Sequence, residues 1–173
     1  MMIMKRVFLG LGTNLGDKRA NLENALASIS ESIGMVTDRS SVYETEPWGF
    51  RTDDTFLNMV VQVETKLKPS GLLGRILMIE AKMGRLRSGK EYASRIIDID
   101  ILFFGDVIMN TKSLAIPHPK MHERKFVLVP LCEIAPDLMH PVLNKNISIL
   151  LSECKDKGQI RMHDSTTARQ QDL

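Results

Sequence analysis

The chain has 173 residues, 43% of them hydrophobic and 25% charged, with a formal net charge of +2; that is the composition and size of one globular domain with a sizeable core. So small a net charge supplies no global field for nucleic acid or membrane, and no segment approaches the roughly 20 apolar residues of a membrane-spanning helix. Cys132 and Cys154 are the only cysteines and lack C-x-x-C spacing, which argues against a disulfide framework and a zinc site. MMIMKRVFLGLG is too short an apolar run for a signal peptide and has no small-residue cleavage site, so a cytoplasmic chain is expected.

Residues 5–12 (KRVFLGLG) read as a central strand, apolar almost throughout. GTNLGD (12–17) is a turn, and Asp17 is an N-cap for a helix over about 18–33, where Leu22, Ala25, Leu26, Ile29 and Ile33 recur at helical spacing and Gly34 closes the end. Gly10, Gly12 and Gly16 do not fit G-x-G-x-x-G, and no G-K-[ST] follows; the glycines are read as a tight strand-to-helix turn, not a phosphate cradle. A second strand is expected over 35–44, then the loop TEPWGFRTDD, then a third strand over 56–66 with Leu57, Met59, Val61 and Val63 on one face.

Pro69 opens a helix over 69–83 with an apolar stripe of Leu72, Ile76, Ile79 and Met83, interrupted by Glu80 and followed by Gly84. GRLRSGKEYASR precedes a strand, SRIIDIDILFFGD (94–106), in which Ile97, Ile99 and Ile101 alternate with Asp98 and Asp100 before Leu102, Phe103 and Phe104 run on unbroken. GDVIMNTKSL reads as a hairpin-like excursion, AIPHPKMHERKF as a loop running into a helix over 124–134, and a last helix covers 146–154. The expected organisation is one domain over 1–154 followed by a polar, frayed tail over 155–173. The order strand, helix, strand, strand, helix, strand is the α+β ferredoxin-like pattern: an antiparallel sheet with both main helices on one face, its other face left to a ligand or further elements.

Asp98 and Asp100 share a strand face about 6.6 Å apart, and Asp is poor strand material. At an effective dielectric near 20 the two charges repel by roughly 2–3 kcal/mol, but in open water by less than about 1 kcal/mol. On a solvated face the pair means little; partly enclosed, it calls for a cation. Arg85, Arg87 and Arg95, with Lys90, lie within a short stretch of both acids. They allow a plain salt-bridge network, yet they exceed what two carboxylates require. Carboxylates for Mg2+ beside arginines for phosphate oxygens is the combination polyphosphate chemistry uses, and that reading is preferred. Trp48, Phe50, Phe56 and Asn58 gather around one loop and fit either a flat ligand or a loop anchored to the core. His118, between Pro117 and Pro119, reads as a positioned polar contact, not a general base.

GTNLGD, YETEPWG with F-L-N, E-x-x-x-G-R-x-R, Y-A-S-R-I-I-D-I-D-I-L, and I-P-H-P with R-K-F occur in that order over about residues 5–153. On these motifs the chain closely resembles the 6-hydroxymethyl-7,8-dihydropterin pyrophosphokinases of folate biosynthesis. The resemblance implies transfer of the β,γ-diphosphate of ATP to the pterin hydroxymethyl group, giving AMP. It also implies two Mg2+ ions held by Asp98 and Asp100, with Arg85 and Arg95 catalytic. It assigns ATP contacts to Glu80, Arg87, Arg95, Ile101, His118 and Arg124. It further implies that Phe56 and Phe126 sandwich the pterin, that Thr45, Glu46, Trp48, Asn58 and Tyr92 complete its pocket, and that loops 46–55 and 84–95 close over both substrates. The implied partners are these two small molecules, with neither nucleic acid nor membrane, and the chain is expected to act as a monomer.

Tyr92 stands where many relatives carry Trp and Ser94 where many carry Pro, and Ser113 and Ala115 lack nucleotide contacts that some relatives make. Two rivals remain. An RNA-binding module on the same sheet would place aromatics and basic charge where this chain has carboxylates. A nucleotide-binding module without chemistry would leave the acid pair and the aromatic loop unexplained.

Overall fold

A computed structural model describes residues 3–47, 54–84 and 95–163. Strand β1, Lys5–Thr13, leads through a turn with Gly16 in the left-handed region (φ +69°) into helix α1, Lys18–Ser32. Asp17 caps α1, its side chain accepting the Ala20 N–H at 3.0 Å, a bond of a kind that contributes about 1 kcal/mol. The expected second strand is two: β2, Gly34–Arg39, and β3, Tyr43–Thr45. The break falls at Ser40, whose hydroxyl accepts the Val60 N–H, a pairing that strand propensity does not report. Next come β4, Phe56–Thr65; α2, Pro69–Lys82; and β5, Asp98–Phe104. The excursion is a small hairpin of β6, Met109–Asn110, and β7, Ala115–Ile116. Helices α3, Lys125–Ile134, and α4, Ile147–Glu153, follow, and strand β8, Ile160–Met162, is last.

The main sheet runs β5-β1-β4-β3-β8 with β2 also paired to β4, and all its pairings are antiparallel. This is a ferredoxin-like arrangement. Helices α1 and α2 cover one face: Leu22, Ile29, Leu72 and Ile76 pack on Val7, Leu9, Leu11, Val61, Val63, Ile99 and Ile101. The second face is shared between further elements and open space. At one end Phe8, Val60, Leu102 and Phe103 are buried under Val127, Leu128 and Leu131 of α3 and Ile147 and Leu150 of α4. Among the described residues the other end of that face is uncovered, and it holds the candidate site.

The unbroken Leu102-Phe103-Phe104 run has a structural reason. Phe8 pairs with Phe103 but Leu9 with Ile101, so the register slips by one residue at Leu102. The bulge puts Leu102 and Phe103 on the same face, both in the α3–α4 core, and returns Phe104 to the α1–α2 core.

Two expectations are corrected. Gly34 does not end α1 in a left-handed cap; α1 closes at Ile33, and Gly34 begins β2, where a Cβ would overlap the Glu64 carbonyl oxygen. The segment expected to fray is held through residue 163. Asp156 accepts the Lys125 N–H at 3.0 Å, and β8 pairs with β3; residues 164–173 lie outside the described residues.

Candidate functional site

The site begins with the register of β1. Val7, Leu9 and Leu11 point into the helix-side core, so Phe8, Gly10 and Gly12 face the other way. Gly10 lies opposite Asp100 on β5 and Val60 on β4; Gly12 lies opposite Asp98 and Asn58. Two glycines therefore form a bare floor between two carboxylates on one side and a carboxamide on the other. A Cβ on Gly12 would stand 2.9 Å from Asn58 Oδ1, whereas one on Gly10 would make ordinary contact with Leu102 at 3.5–3.7 Å. Glycine inside a strand marks a place where another group approaches the backbone closely. The turn at Gly16 is as expected, but Gly10 and Gly12 belong to the cavity floor; their alternation with Val7, Leu9 and Leu11 was the signal.

Above this floor is a cavity of about 230 Å3. Its acid wall is Asp98 and Asp100, both half-buried, with Arg95 and His118 close by. Its other wall is Thr45, Glu46, Phe56 and Asn58, and Arg124 and Phe126 close it from the start of α3. Asn58 donates through Nδ2 to Thr45 Oγ1 at 2.6 Å, which fixes the amide and turns its oxygen toward Gly12. The Arg124 guanidinium stands 5.7 Å from the centroid of the Phe126 ring, within cation–π range.

Arg95 is held at both levels. Its backbone is bonded twice to Asn14, and its guanidinium pairs with the Asp98 carboxylate at 3.1 Å. The salt bridge weighed against a cation site is thus present for one arginine and one acid. Asn14 is itself buried, and sequence reading took it only as part of a turn.

Burial, more than the positive field of Arg124, pushes the His118 imidazole down to a pKa of about 4, so the ring is neutral near pH 7. Its Nδ1 accepts the Lys120 N–H at 3.2 Å, which leaves the ring proton on Nε2 as a donor.

The carboxylates could hold a divalent cation. Among the described residues no group of three His, Cys, Asp or Glu is placed to hold a metal. Two carboxylates with open space beside them suit Mg2+, which keeps water and takes phosphate oxygens as its remaining ligands.

Of the residues expected at the site, Thr45, Glu46, Phe56, Asn58, Arg95, Asp98, Asp100, His118, Arg124 and Phe126 line the cavity together. Glu80 and Ile101 do not: Glu80 is buried on α2 and the Ile101 side chain lies in the helix-side core. Trp48, Arg85, Arg87, Lys90 and Tyr92 fall outside the described residues, as do most of the two loops expected to close.

A family model described as 7,8-dihydro-6-hydroxymethylpterin-pyrophosphokinase (HPPK) matches residues 8–136. A 2-amino-4-hydroxy-6-hydroxymethyldihydropteridine pyrophosphokinase from Methylorubrum extorquens is 46% identical over 137 residues, 79% of this chain and 86% of that protein. The protein of the same name from Porphyromonas gingivalis is 42% identical over 141 residues, 80% of this chain and 95% of that one. In shape, the chain is similar to wild-type HPPK-DHPS of Plasmodium falciparum, with a TM-score of 0.73 over 87% of this chain at 21% identity. It spans only 45% of that longer chain, and at that identity the likeness speaks for the fold.

Proposed function

The chain belongs to the 7,8-dihydro-6-hydroxymethylpterin-pyrophosphokinase family, and from that premise we propose how its cavity works. As a pyrophosphokinase of folate synthesis it moves the terminal diphosphate of ATP to the hydroxymethyl oxygen of 6-hydroxymethyl-7,8-dihydropterin. The acceptor oxygen bonds to the β-phosphorus, the bond from that phosphorus to the α,β-bridging oxygen breaks so that this oxygen leaves with AMP, and the acceptor hydroxyl gives up its proton.

The observation that carries the residue roles is the register Asp98–Gly12–Asn58 and Asp100–Gly10–Val60. It sets a carboxylate pair and a polar-aromatic pocket on either side of a floor with no side chains. In our reading Phe56 and Phe126 stack on the pterin faces, and Asn58, with Thr45 and Glu46, reads its edge. Asn58 suits this because its oxygen remains available while its nitrogen is committed to Thr45.

Asp98 and Asp100 are the residues that would hold Mg2+, two ions in the family's pattern. What the metal supplies when bound is neutralisation of phosphate charge and a lower cost for deprotonating the acceptor hydroxyl. Arg95, His118 and Arg124 take the polyphosphate oxygens: Arg95 and Arg124 as fixed cations, neutral His118 as an N–H donor. Because Arg95 pairs with Asp98 in the free protein, the arginine screens the carboxylate until substrate brings its own charges. No nucleophilic side chain is required, since such transfers depend mostly on positioning and charge stabilisation. Arg85, Arg87, Trp48 and Tyr92 keep the roles the family resemblance gives them; Glu80 and Ile101, whose side chains lie away from the cavity, are given no side-chain contact with ATP.

Function as a monomer is part of the same proposal. Two cysteine thiols without a disulfide partner and ATP as donor support a cytoplasmic setting. The deciding experiment is an assay of AMP formation. AMP should appear only when ATP, the reduced hydroxymethylpterin and Mg2+ are all present. Release of ADP, or AMP formation without the pterin, would overturn the assignment.

A further inference from the structure

The C-terminal segment lies beyond the residues matched by the family model, which end at 136, yet its bonds converge on the acceptor half of the cavity. We infer that Asp156–Met162 is a positioning element for the pterin pocket, an inference that rests on the pyrophosphokinase reading above.

Three independent contacts carry it. First, Asp156 Oδ2 accepts the Lys125 N–H at 3.0 Å, while Oδ1 accepts the Gly158 N–H at 2.9 Å. Lys125 is the first residue of α3 and Phe126 the second, so Asp156 fixes the turn that carries one aromatic wall. The helix's own cap residue, Arg124, makes no side-chain cap bond, and Asp156 supplies that acceptor from a distance in sequence.

Second, β8 pairs with β3 so that Thr45 lies opposite Ile160 and Tyr43 opposite Met162, and the His163 N–H donates to the Val42 carbonyl at 2.8 Å. Without β8 the three-residue strand β3 would be an unpaired edge. Thr45 is the residue that orients Asn58.

Third, Glu44 joins β8 to the residue before Phe56. Its Oε1 accepts from Arg161 at 3.0 Å and from the Thr55 hydroxyl at 3.0 Å, and Lys18 Nζ donates to the Thr55 carbonyl at 2.9 Å. Arg161 is 76% exposed, so its ion pair adds little by itself; the β8 ladder and the Asp156 bonds carry the weight. A smaller cavity of about 130 Å3 shares Thr45, Glu46 and Phe126 with the main one and has Asp156 and Ile160 in its wall. The segment thus stands directly behind the pterin-side residues.

The effect is directional. Strand β8 is at the sheet edge opposite β5, which bears Asp98 and Asp100. Loosening β8 should therefore disturb pterin binding more than the metal–phosphate side.

The test is steady-state kinetics of the full chain with Arg161→Pro, Asp156→Ala and Asp156→Asn, together with pterin Kd from the pterin's own fluorescence. The binding measurement is made with a non-hydrolysable ATP analogue and Mg2+ present. Arg161→Pro is expected to raise KM and Kd for the pterin at least fivefold while the ATP KM moves less than twofold. Asp156→Ala should raise the pterin constants by a similar factor, and Asp156→Asn, which keeps one oxygen for the Lys125 N–H but cannot also accept from Gly158, should recover part of the loss. Pterin constants within twofold of wild type in both Arg161→Pro and Asp156→Ala, or equal rises for ATP and pterin in Arg161→Pro, would overturn the inference. If Arg161→Pro does not fold, the Asp156 pair decides. A wild-type chain that binds the pterin without forming AMP would instead refute the pyrophosphokinase reading, and the Kd ratios would still decide the role of the segment. A wild-type chain that binds no pterin would refute both.

Discussion

Asn14 grips the backbone of Arg95 at two points: its N–H donates to the Arg95 carbonyl at 3.1 Å, and its Oδ1 accepts the Arg95 N–H at 2.7 Å. The clasp joins the turn after β1 to the residue that enters β5. It sets where the Arg95 guanidinium can reach, and that group meets Asp98 at 3.1 Å. Asn14→Ala would remove one bond of the pair, taking from the half-buried Arg95 N–H its Asn14 acceptor. Turnover is expected to fall at least tenfold, since small displacements of a catalytic group are costly. Stability should drop by about 1–3 kcal/mol. AMP release and urea unfolding read the two effects, and near-normal turnover in a destabilised variant would show that Arg95 needs no such clasp.

Asp98→Ala and Asp100→Ala should each lower turnover by about a thousandfold or more, the scale on which phosphoryl transfer depends on charge stabilisation at the transferring group. Pterin affinity should change only a few-fold, because Asn58, Phe56 and Phe126 are untouched. The paired measurement is AMP formation across a magnesium titration and pterin fluorescence. Substantial turnover in either variant at low magnesium would rule out the metal role.

The two floor glycines predict unequal outcomes. Gly12→Ala places a methyl group 2.9 Å from Asn58 Oδ1, which displaces the edge-reading amide and raises the floor. Gly10→Ala meets only Leu102 at ordinary contact distance. Pterin binding should weaken at least tenfold in the first and less in the second, with both folding. Equal affinities by fluorescence titration would mean the pterin does not lie over Gly12.

His118 predicts a pH dependence with a definite sign. Its pKa in the folded protein is about 4, against an ordinary 6.5, so between these values the unfolded chain binds a proton that the native chain does not. The stability it contributes is complete above pH 6.5 and is lost as pH falls toward 4, by up to about 3 kcal/mol. His118→Gln should remove this part of the pH slope. Because burial also lowers the pKa of His140, the quantity to measure is the difference between wild type and variant in denaturant unfolding from pH 7 to 4. An NMR titration of His118 with a midpoint near 6.5 would refute the premise.

Glu133 accepts bonds from the Tyr43 hydroxyl at 2.6 Å and from the Ser41 N–H at 3.0 Å, tying α3 to β3. Burial, then the Glu133 carboxylate, raises Tyr43 to a pKa of about 12. Its contribution is present below pH 10 and is lost as pH rises through 12. Tyr43→Phe should cost about 1.5–3 kcal/mol at pH 7, the range for a bond to a charged acceptor. Phenolate absorbance near pH 10 in the difference between wild type and Tyr43→Phe, which cancels the signal of Tyr92, would contradict the arrangement.

Much of this molecule follows from local pattern. The period-two alternation in IDIDI put the isoleucines in the core and both aspartates on the opposite face, and the helical stripes of α1 and α2 identified their buried sides. Those features depend on side-chain periodicity within one element, and the local order of residues carries them. The motif set likewise named the family from residues that stand in order along the chain. Only the tertiary structure decided that Gly10 and Gly12 are a floor and not a turn, that Asn14 holds Arg95, that Leu102 is a bulge, and that Asp156 and β8 stand behind the cavity wall of Thr45 and Phe126. Each of these is a pairing between residues far apart in sequence. Its register is set by how strands and helices pack, and no local period encodes it.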